Sequence, residues 1–242
     1  MARLTRHELK QDEFLTTVEE FENFAKQHYK EIAAVVVVSV LAAGAVFGYR
    51  FWAERQESES NALLGTALKT FHTSVGPASA NPIPGLEQSN QAFPTAPAKY
   101  KKALEEFSDV VRRFPRQKAA DIARYHAGLC QAELGDAGAA IKTLQEASGV
   151  SDQSIASLAK MALAGELVKA GKLGDAAKVY RQLQDHPTAT VPKATAMLAL
   201  ADAYRQSQPA QARKIYQQME KEFSSNTELA LTLKQQMESL PK

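Results

Sequence analysis

The sequence predicts an all-α protein in which a single N-terminal transmembrane helix is followed by a solenoid of helical hairpins. Two observations predict it: an apolar run of eighteen residues without a charged side chain, and a pattern of small and large residues that recurs about every 36 positions. The part of the chain beyond the run is rich in Ala, Leu, Gln, Lys and Glu. This composition favours helices over strands.

The apolar run covers residues 32–49 and is bounded by Glu31 and Arg50. A helix of this length approaches the thickness of a bilayer's hydrocarbon core, roughly 30 Å. A cleaved signal peptide is the main alternative, but its apolar core is normally only about 7–15 residues long and follows a short charged segment. Because about thirty residues precede this run, we expect an uncleaved anchor surrounded by membrane lipid over residues 32–52.

Aromatic and basic residues gather at the far edge of the run, where such side chains settle at a membrane–water interface. We therefore predict that Tyr49, Arg50, Phe51 and Trp52 are membrane-interface anchors. The chain has five Lys and Arg residues before the run and three in the twenty residues after it, which favours a cytoplasmic N-terminus.

The N-terminal tail contains an apolar stripe at helical spacing, which predicts an amphipathic helix. The stripe consists of Phe14, Val18, Phe21 and Tyr29. Acidic residues occupy the other faces. Two interpretations stay open: a surface helix lying at the lipid headgroups, or a docking helix for a membrane partner.

Self-similarity is the second strong feature of the chain. A small residue recurs at Ala103, Ala140, Ala176 and Ala212, and four positions later a large apolar one recurs at Phe107, Leu144, Tyr180 and Tyr216. A period of this size predicts stacked helical hairpins, in which each small residue lets two helices approach closely. In this register Ala103 and Phe107 belong to the second helix of the first hairpin, and residues 55–75 form its first helix.

Glycine and proline positions predict where the helices end. Gly135 and Gly171 follow two helices, and Pro209 lies early in a third. The predicted helices are 55–75, 98–114, 116–134, 137–148, 152–170, 173–185, 190–206, 209–223 and 227–239. The predicted division of the chain is an N-terminal tail (1–30), the transmembrane helix (31–52), a first repeat helix (53–75), a Pro-rich loop (76–97) and the repeat domain with a C-terminal capping helix (98–242). The loop is either a tolerated surface insertion or a strip that contacts a partner or folds over the solenoid.

Composition and motifs argue against several classes of function. A net charge of +2 without a basic, aromatic-rich stripe is not typical of nucleic-acid binding. Cys130 is the single cysteine and predicts a small buried core residue rather than a disulfide. The five histidines are scattered, and no phosphate-binding loop or nucleophile elbow occurs. We therefore expect no enzyme activity, no catalytic, cofactor or metal site, and no small-molecule substrate.

A solenoid binds partners on the surface that its stacked helices present. The first helices of the hairpins are expected to line a protein-binding groove. Its predicted residues are Ile122, Tyr125, Leu129, Leu158, Met161, Leu198, Asp202 and Arg205. The alternative for any one of these residues is a place in the core between hairpins.

The array resembles the tetratricopeptide repeat, through Ala127-Gly128, Leu134-Gly135-Asp136, Ala140-Ile141, Leu144 and Ala147. Anchor and array together resemble the ancillary SecYEG translocon subunit family (YfgM-like proteins). That resemblance is carried by Asn23-Phe24-Ala25-Lys26, the apolar run, and Gly48-Tyr49-Arg50-Phe51-Trp52. It implies a bacterial inner-membrane protein with one span, a cytoplasmic N-terminus and a periplasmic repeat domain.

The implied function is a membrane-anchored interaction subunit of the secretion translocon. Its implied protein partners are the secretion channel, periplasmic chaperones and emerging client chains. The alternative is a membrane-anchored scaffold for envelope or cytochrome assembly, whose partner is folded.

Overall fold

The computed structural model describes residues 28–76 and 92–241, and the chain divides between Arg55 and Gln56 into two compact units. The described ranges contain nine helices. They are α1 (Tyr29–His72), α2 (Ala96–Arg113), α3 (Lys118–Glu133), α4 (Ala137–Ala147), α5 (Gln153–Lys169), α6 (Leu173–Asp185), α7 (Lys193–Tyr204), α8 (Pro209–Glu222) and α9 (Thr227–Glu238). The prediction of an all-α chain is confirmed for these ranges.

Helix α1 is one continuous helix of 44 residues that covers the predicted transmembrane helix (31–52) and most of the predicted first repeat helix (53–75). The physical reason lies in residues 50–60, which contain neither glycine nor proline, so that nothing ends the helix there. The N-terminal part of α1 is long and apolar enough to cross a membrane.

Residues 76–97 were predicted to form an irregular loop. The described residues at its two edges are more ordered than that prediction. Val75 and Phe93 form an isolated parallel β-bridge, in which the N–H of Gly76 donates to the Phe93 carbonyl at 3.0 Å. Thr95 caps α2 by accepting from the Ala98 N–H at 3.3 Å, and Pro97 lies in the first turn of that helix. Proline fits there because the first-turn N–H groups have no partner inside the helix.

The hairpin turns follow the predicted chemistry. Gly135 and Gly171 have φ of 81° and 73°, a conformation that favours glycine after a helix. Asp136 and Asp152 then cap α4 and α5, each through a side-chain oxygen that accepts from backbone N–H groups. These caps fix the starts of α4 and α5, whereas α6, which begins after the Gly171 turn, has Lys172 at its N-cap without a side-chain hydrogen bond.

The repeating pairs of small and large residues form the centre of the fold, as predicted. The four alanines of the pattern are all fully buried, and so are Phe107, Leu144 and Tyr216, while Tyr180 is 5% exposed. In the first hairpin, Leu64 and Ala67 of α1 share a buried cluster with Ala103 and Phe107 of α2. In this cluster the C-terminal part of α1 packs against α2.

From α2 onward each helix packs against the next in sequence, and α3 also packs against α5. The contact between α3 and α5 joins the first helices of successive hairpins, as stacking requires. Helix α9 closes the array on α8, where Leu233 and the following Leu240 are buried.

Candidate protein-binding surface

The predicted groove residues lie on the first helices α3, α5 and α7, except Arg205, which directly follows α7. Six apolar members are partly exposed, and all of them except Leu129 pack against the buried core clusters. We call them the first-helix surface: Ile122, Tyr125, Leu129, Leu158, Met161 and Leu198. A partly exposed apolar side chain that rests on a rigid core is well placed to contact a partner, because little ordering is needed on binding.

The repeat register aligns this surface in rows. Tyr125, Met161 and Leu198 occupy equivalent positions in successive hairpins, and Leu129 is equivalent to Gly165 and Asp202. The first row therefore carries a large apolar side chain on each of the helices α3, α5 and α7. The second row changes from leucine to glycine to aspartate.

The two polar members of the predicted groove, the exposed Asp202 and the partly exposed Arg205, both make hydrogen bonds within the fold. Asp202 accepts from the Tyr216 hydroxyl at 2.9 Å. Arg205 donates from Nη1 to Gln236 Oε1 at 2.9 Å and from Nη2 to Ser239 Oγ at 2.7 Å, which ties α7 to the end of the array. Burial, followed by the hydrogen bond to Asp202, raises the pKa of Tyr216 to about 12. The tyrosine therefore stays a hydrogen-bond donor at neutral pH.

Other charges on the first helices also have partners. Arg124 Nη1 lies 3.0 Å from Asp121 Oδ1, with both side chains mostly covered. Glu166 is almost completely buried and accepts from Lys169 Nζ at 2.7 Å. These pairs occupy charged groups that could otherwise bind a charged partner.

His126 lies in a cluster of aromatic rings that joins α1, α2 and α3. Its ring stacks on Phe107 with centroids 5.2 Å apart, and its edge contacts are with Phe71 at 5.1 Å and Tyr125 at 5.0 Å. Burial, and secondarily the nearby His72, lowers the pKa of His126 to about 4. Its Nδ1 atom is buried without a hydrogen-bond partner among the described residues. The His126 ring is therefore neutral and packed. No local pattern predicts this cluster, because its rings come from three helices.

Cys130 is fully buried, as predicted. Burial raises the pKa of its thiol to about 12, so the reactive thiolate is not formed at neutral pH. Within residues 28–76 and 92–241, no group of three or more His, Cys, Asp and Glu side chains could hold a metal ion.

Sequence reasoning missed a triangle of hydroxyls beside the first-helix surface. Ser157 Oγ lies 2.8 Å from Thr188 Oγ1 and 2.9 Å from Thr190 Oγ1, and the two threonine oxygens are 3.0 Å apart. The triangle joins the start of α5 to the connection between α6 and α7. The only sequence signal was the pair of threonines two residues apart after Pro187.

The predicted membrane-interface residues all lie on α1. Tyr49, Phe51 and Trp52 are more than half exposed, and the rings of Tyr49 and Trp52 are 6.2 Å apart. Arg50 lies exposed between them in sequence. Of the predicted tail stripe, Tyr29 is the exposed first residue of α1, while Phe14, Val18 and Phe21 lie outside the described residues.

A cavity of about 570 Å³ lies apart from the first-helix surface, between the last turns of α1, the Phe93 segment and α2. Thr66, Lys69, Thr70 and Glu106 contribute polar groups to its wall. None of the predicted groove residues lines it, so the cavity and the predicted groove are separate features.

Comparison with known families gives one match. The tetratricopeptide repeat model matches residues 98–153 and 161–227, together just over half of the chain. No curated protein and no solved structure gives a significant match. The matched ranges include every residue of the first-helix surface except Leu158.

Proposed function

Because the chain belongs to the tetratricopeptide repeat family, we propose that it is a membrane-anchored protein–protein interaction subunit. The observation that carries the proposal is the combination of a row of partly exposed apolar side chains on stacked first helices with a membrane-length apolar helix in the same chain. Tetratricopeptide arrays are in general non-enzymatic interaction scaffolds, and stacked repeats offer extended binding surfaces.

The proposed division of labour follows the predicted domains. Residues 31–52 anchor the chain, and together with the tail at 1–30 they select the membrane partner. The first helix (53–75), the Pro-rich loop (76–97) and the repeats (98–242) form the domain that binds a second protein. The Lys and Arg bias around the apolar run supports a cytoplasmic tail and a periplasmic repeat domain.

The proposed partners are the secretion channel for the anchor, and periplasmic chaperones or emerging secretory chains for the first-helix surface. The resemblance of residues 23–26 and 48–52 to YfgM-like translocon subunits supports this choice. The apolar character of the first-helix surface supports a partner that exposes apolar side chains, which incompletely folded chains do.

Two full-length variants test the proposal. In the first, an unrelated transmembrane helix replaces residues 31–52 and the tail stripe is changed to serine. In the second, Tyr125→Ala is combined with Leu129→Ser. Crosslinking in cells, followed by quantitative mass spectrometry, measures recovery of the channel and of periplasmic proteins, and circular dichroism confirms that each variant is helical.

The anchor variant should lose the channel and keep the periplasmic partners, while the surface variant should show the reverse. Recovery of the channel by the anchor variant at the wild-type level would contradict the division of labour. Selective recovery of folded envelope or cytochrome assembly factors would instead support a scaffold.

A further inference from the structure

The last turns of α1 are held to the array in a different way from the later helices. The backbone of α1 approaches no other helix as closely as the helices from α2 to α9 approach their neighbours. Side chains make the attachment: Leu64 and Ala67 are buried in a cluster with α2 and α3, and Phe71 packs against it. The ring of Phe71 contacts three rings of α2 and α3, those of Tyr100, Phe107 and His126, with centroids 5.8, 6.1 and 5.1 Å away. We call Leu64, Ala67 and Phe71 with these three rings the α1 joint.

The surroundings of the α1 joint leave it thinly supported. The cavity of about 570 Å³ lies beside it, with Thr66 and Thr70 of α1 on one wall and Glu106 of α2 on another. The buried cluster of the joint is also separate from the cluster that runs through the later hairpins. The joint can therefore open without exposing the core of the later repeats.

His126 is the one ring of the α1 joint that can take up a proton in acid. It stacks on Phe107 with centroids 5.2 Å apart, and its Nδ1 atom is buried without a hydrogen-bond partner among the described residues. A proton on the packed ring would place a charge among apolar groups, where that nitrogen would have no acceptor, and such a charge is unfavourable. In water the same proton is readily accommodated.

No neighbouring group neutralises a charge on His126. The charge that acts on it is that of His72 on α1, which is positive when protonated and repels it. The other titratable groups on the elements around the ring cluster are Lys69 of α1, Lys99 and Glu106 of α2, and Tyr125, Cys130 and Glu133 of α3. Of the two carboxylates, Glu106 lies 3.8 Å from Lys102 Nζ, and Glu133 acts on the Cys130 thiol. A proton on His126 therefore gains no counter-ion while the joint is closed.

We propose that the α1 joint is an acid-sensitive device, in which protonation of His126 releases the last turns of α1 from α2 and α3 while the later hairpins stay folded. The ring takes its proton from solvent as it leaves the cluster, and a return to neutral pH removes the proton and closes the joint. The pKa of His126 is about 4 in the closed joint and about 6.5 in water, so release becomes more favourable as the pH falls through this window. The device goes beyond the proposed function, because it acts whichever protein the repeats bind.

Cys130 reports the opening of the joint directly, because it is the single cysteine of the chain and is fully buried in the cluster that the joint covers. The full-length chain in lipid nanodiscs is reacted with dithiodipyridine, which modifies thiols in acid as well as at neutral pH. Each rate, at pH 7.5 and pH 4.5, is divided by the rate for the chain unfolded in guanidinium at the same pH. We expect this relative rate to rise about tenfold or more on acidification. Amide hydrogen exchange in α5, α6 and α7, corrected for the intrinsic rate at each pH, should be unchanged.

A matched pair of variants assigns the effect to His126. His126→Phe keeps a ring in the cluster without a proton site, so Cys130 should stay protected at pH 4.5, and His126→Leu takes its place if the phenylalanine variant does not fold. His186→Phe is the control, because His186 is exposed at the end of α6, and it should behave as the wild type does. An unchanged relative rate in the wild type, or an equal rise in the His126 variant, overturns the device. Faster exchange throughout α5, α6 and α7 at pH 4.5 also overturns it, since the whole array would then unfold.

Discussion

Two glycines on neighbouring first helices differ in their packing: Gly128 lies against Leu144, whereas the Cβ position of Gly165 is open. Gly128→Ala should lower stability by about 1–3 kcal/mol, because the new methyl group would overlap Leu144. Gly165→Ala should raise stability by about 0.5–1 kcal/mol, because the helix gains an alanine in open space. Thermal unfolding of the full chain in detergent, followed by circular dichroism, measures both. Equal effects of the two substitutions would contradict the packing described for Gly128.

His126 predicts a dependence of stability on pH. Its pKa is lowered to about 4 in the fold, against about 6.5 in the unfolded chain. As the pH falls from about 6.5 to about 4, the unfolded state binds a proton that the folded state excludes, so stability falls over that window and this contribution is constant above and below it. Allowing for the solvent that still reaches part of the ring, we expect a loss of about 1–2 kcal/mol.

His126→Phe tests this expectation, because it keeps an aromatic ring against Phe107 and removes the proton site. Unfolding of the wild type and the variant should be compared at pH 7.5 and pH 4.5. The variant should lose less stability than the wild type on acidification. Identical losses would show that His126 does not titrate as described.

At the scale of elements, the Arg205 hydrogen bonds are expected to hold α9 at the end of the array. Arg205→Met should speed amide hydrogen exchange in residues 227–238, because two hydrogen bonds from the guanidinium are lost. Exchange in α5 and α6 should be unchanged. The exposed Arg213 provides the control, and Arg213→Met should have no effect on α9. Unaltered exchange in residues 227–238 of the Arg205 variant would mean that apolar packing alone holds the helix.

The close contacts between helices should matter more than the Pro-rich insertion. Ala140→Phe and Ala176→Phe place a ring at fully buried positions and should each lower stability by about 1–3 kcal/mol or more. Replacing residues 77–91 with an eight-residue Gly/Ser linker should change stability by only about 0.5 kcal/mol, because loop length enters weakly. Thermal unfolding of the full chain compares the three. A large loss with the linker and none with the alanine variants would mean that the repeat register is wrong.

The elements were predictable because their signals are local and periodic. Alanine followed by a large residue four positions later marks the contact between helices, and Gly135 and Gly171 mark the turns. The engagement of Arg205 was not predictable, since its acceptors lie more than thirty residues away on α9 and beyond. The packing of His126 was not predictable either, because its neighbouring rings come from three helices. Periodicity identifies which residues share a face, but long-range side-chain contacts decide whether a polar residue is available to a partner.

At the scale of the whole molecule, the account requires the repeats to lie on the far side of a membrane from residues 1–30. Helix α1 is long and apolar enough to provide the crossing. The proposed binding to periplasmic partners depends on this topology, and so does the separation between the partner of the tail and the partner of the repeats.

Paired reporter fusions test this claim most directly. Alkaline phosphatase, which is active only outside the cytoplasm, and a fluorescent protein that matures in the cytoplasm are each fused after residue 60 and after residue 242. We expect phosphatase activity without fluorescence at both positions, and retention of both fusions in the membrane fraction. Cytoplasmic fluorescence at either position, or release of the chain into the soluble fraction, would contradict it.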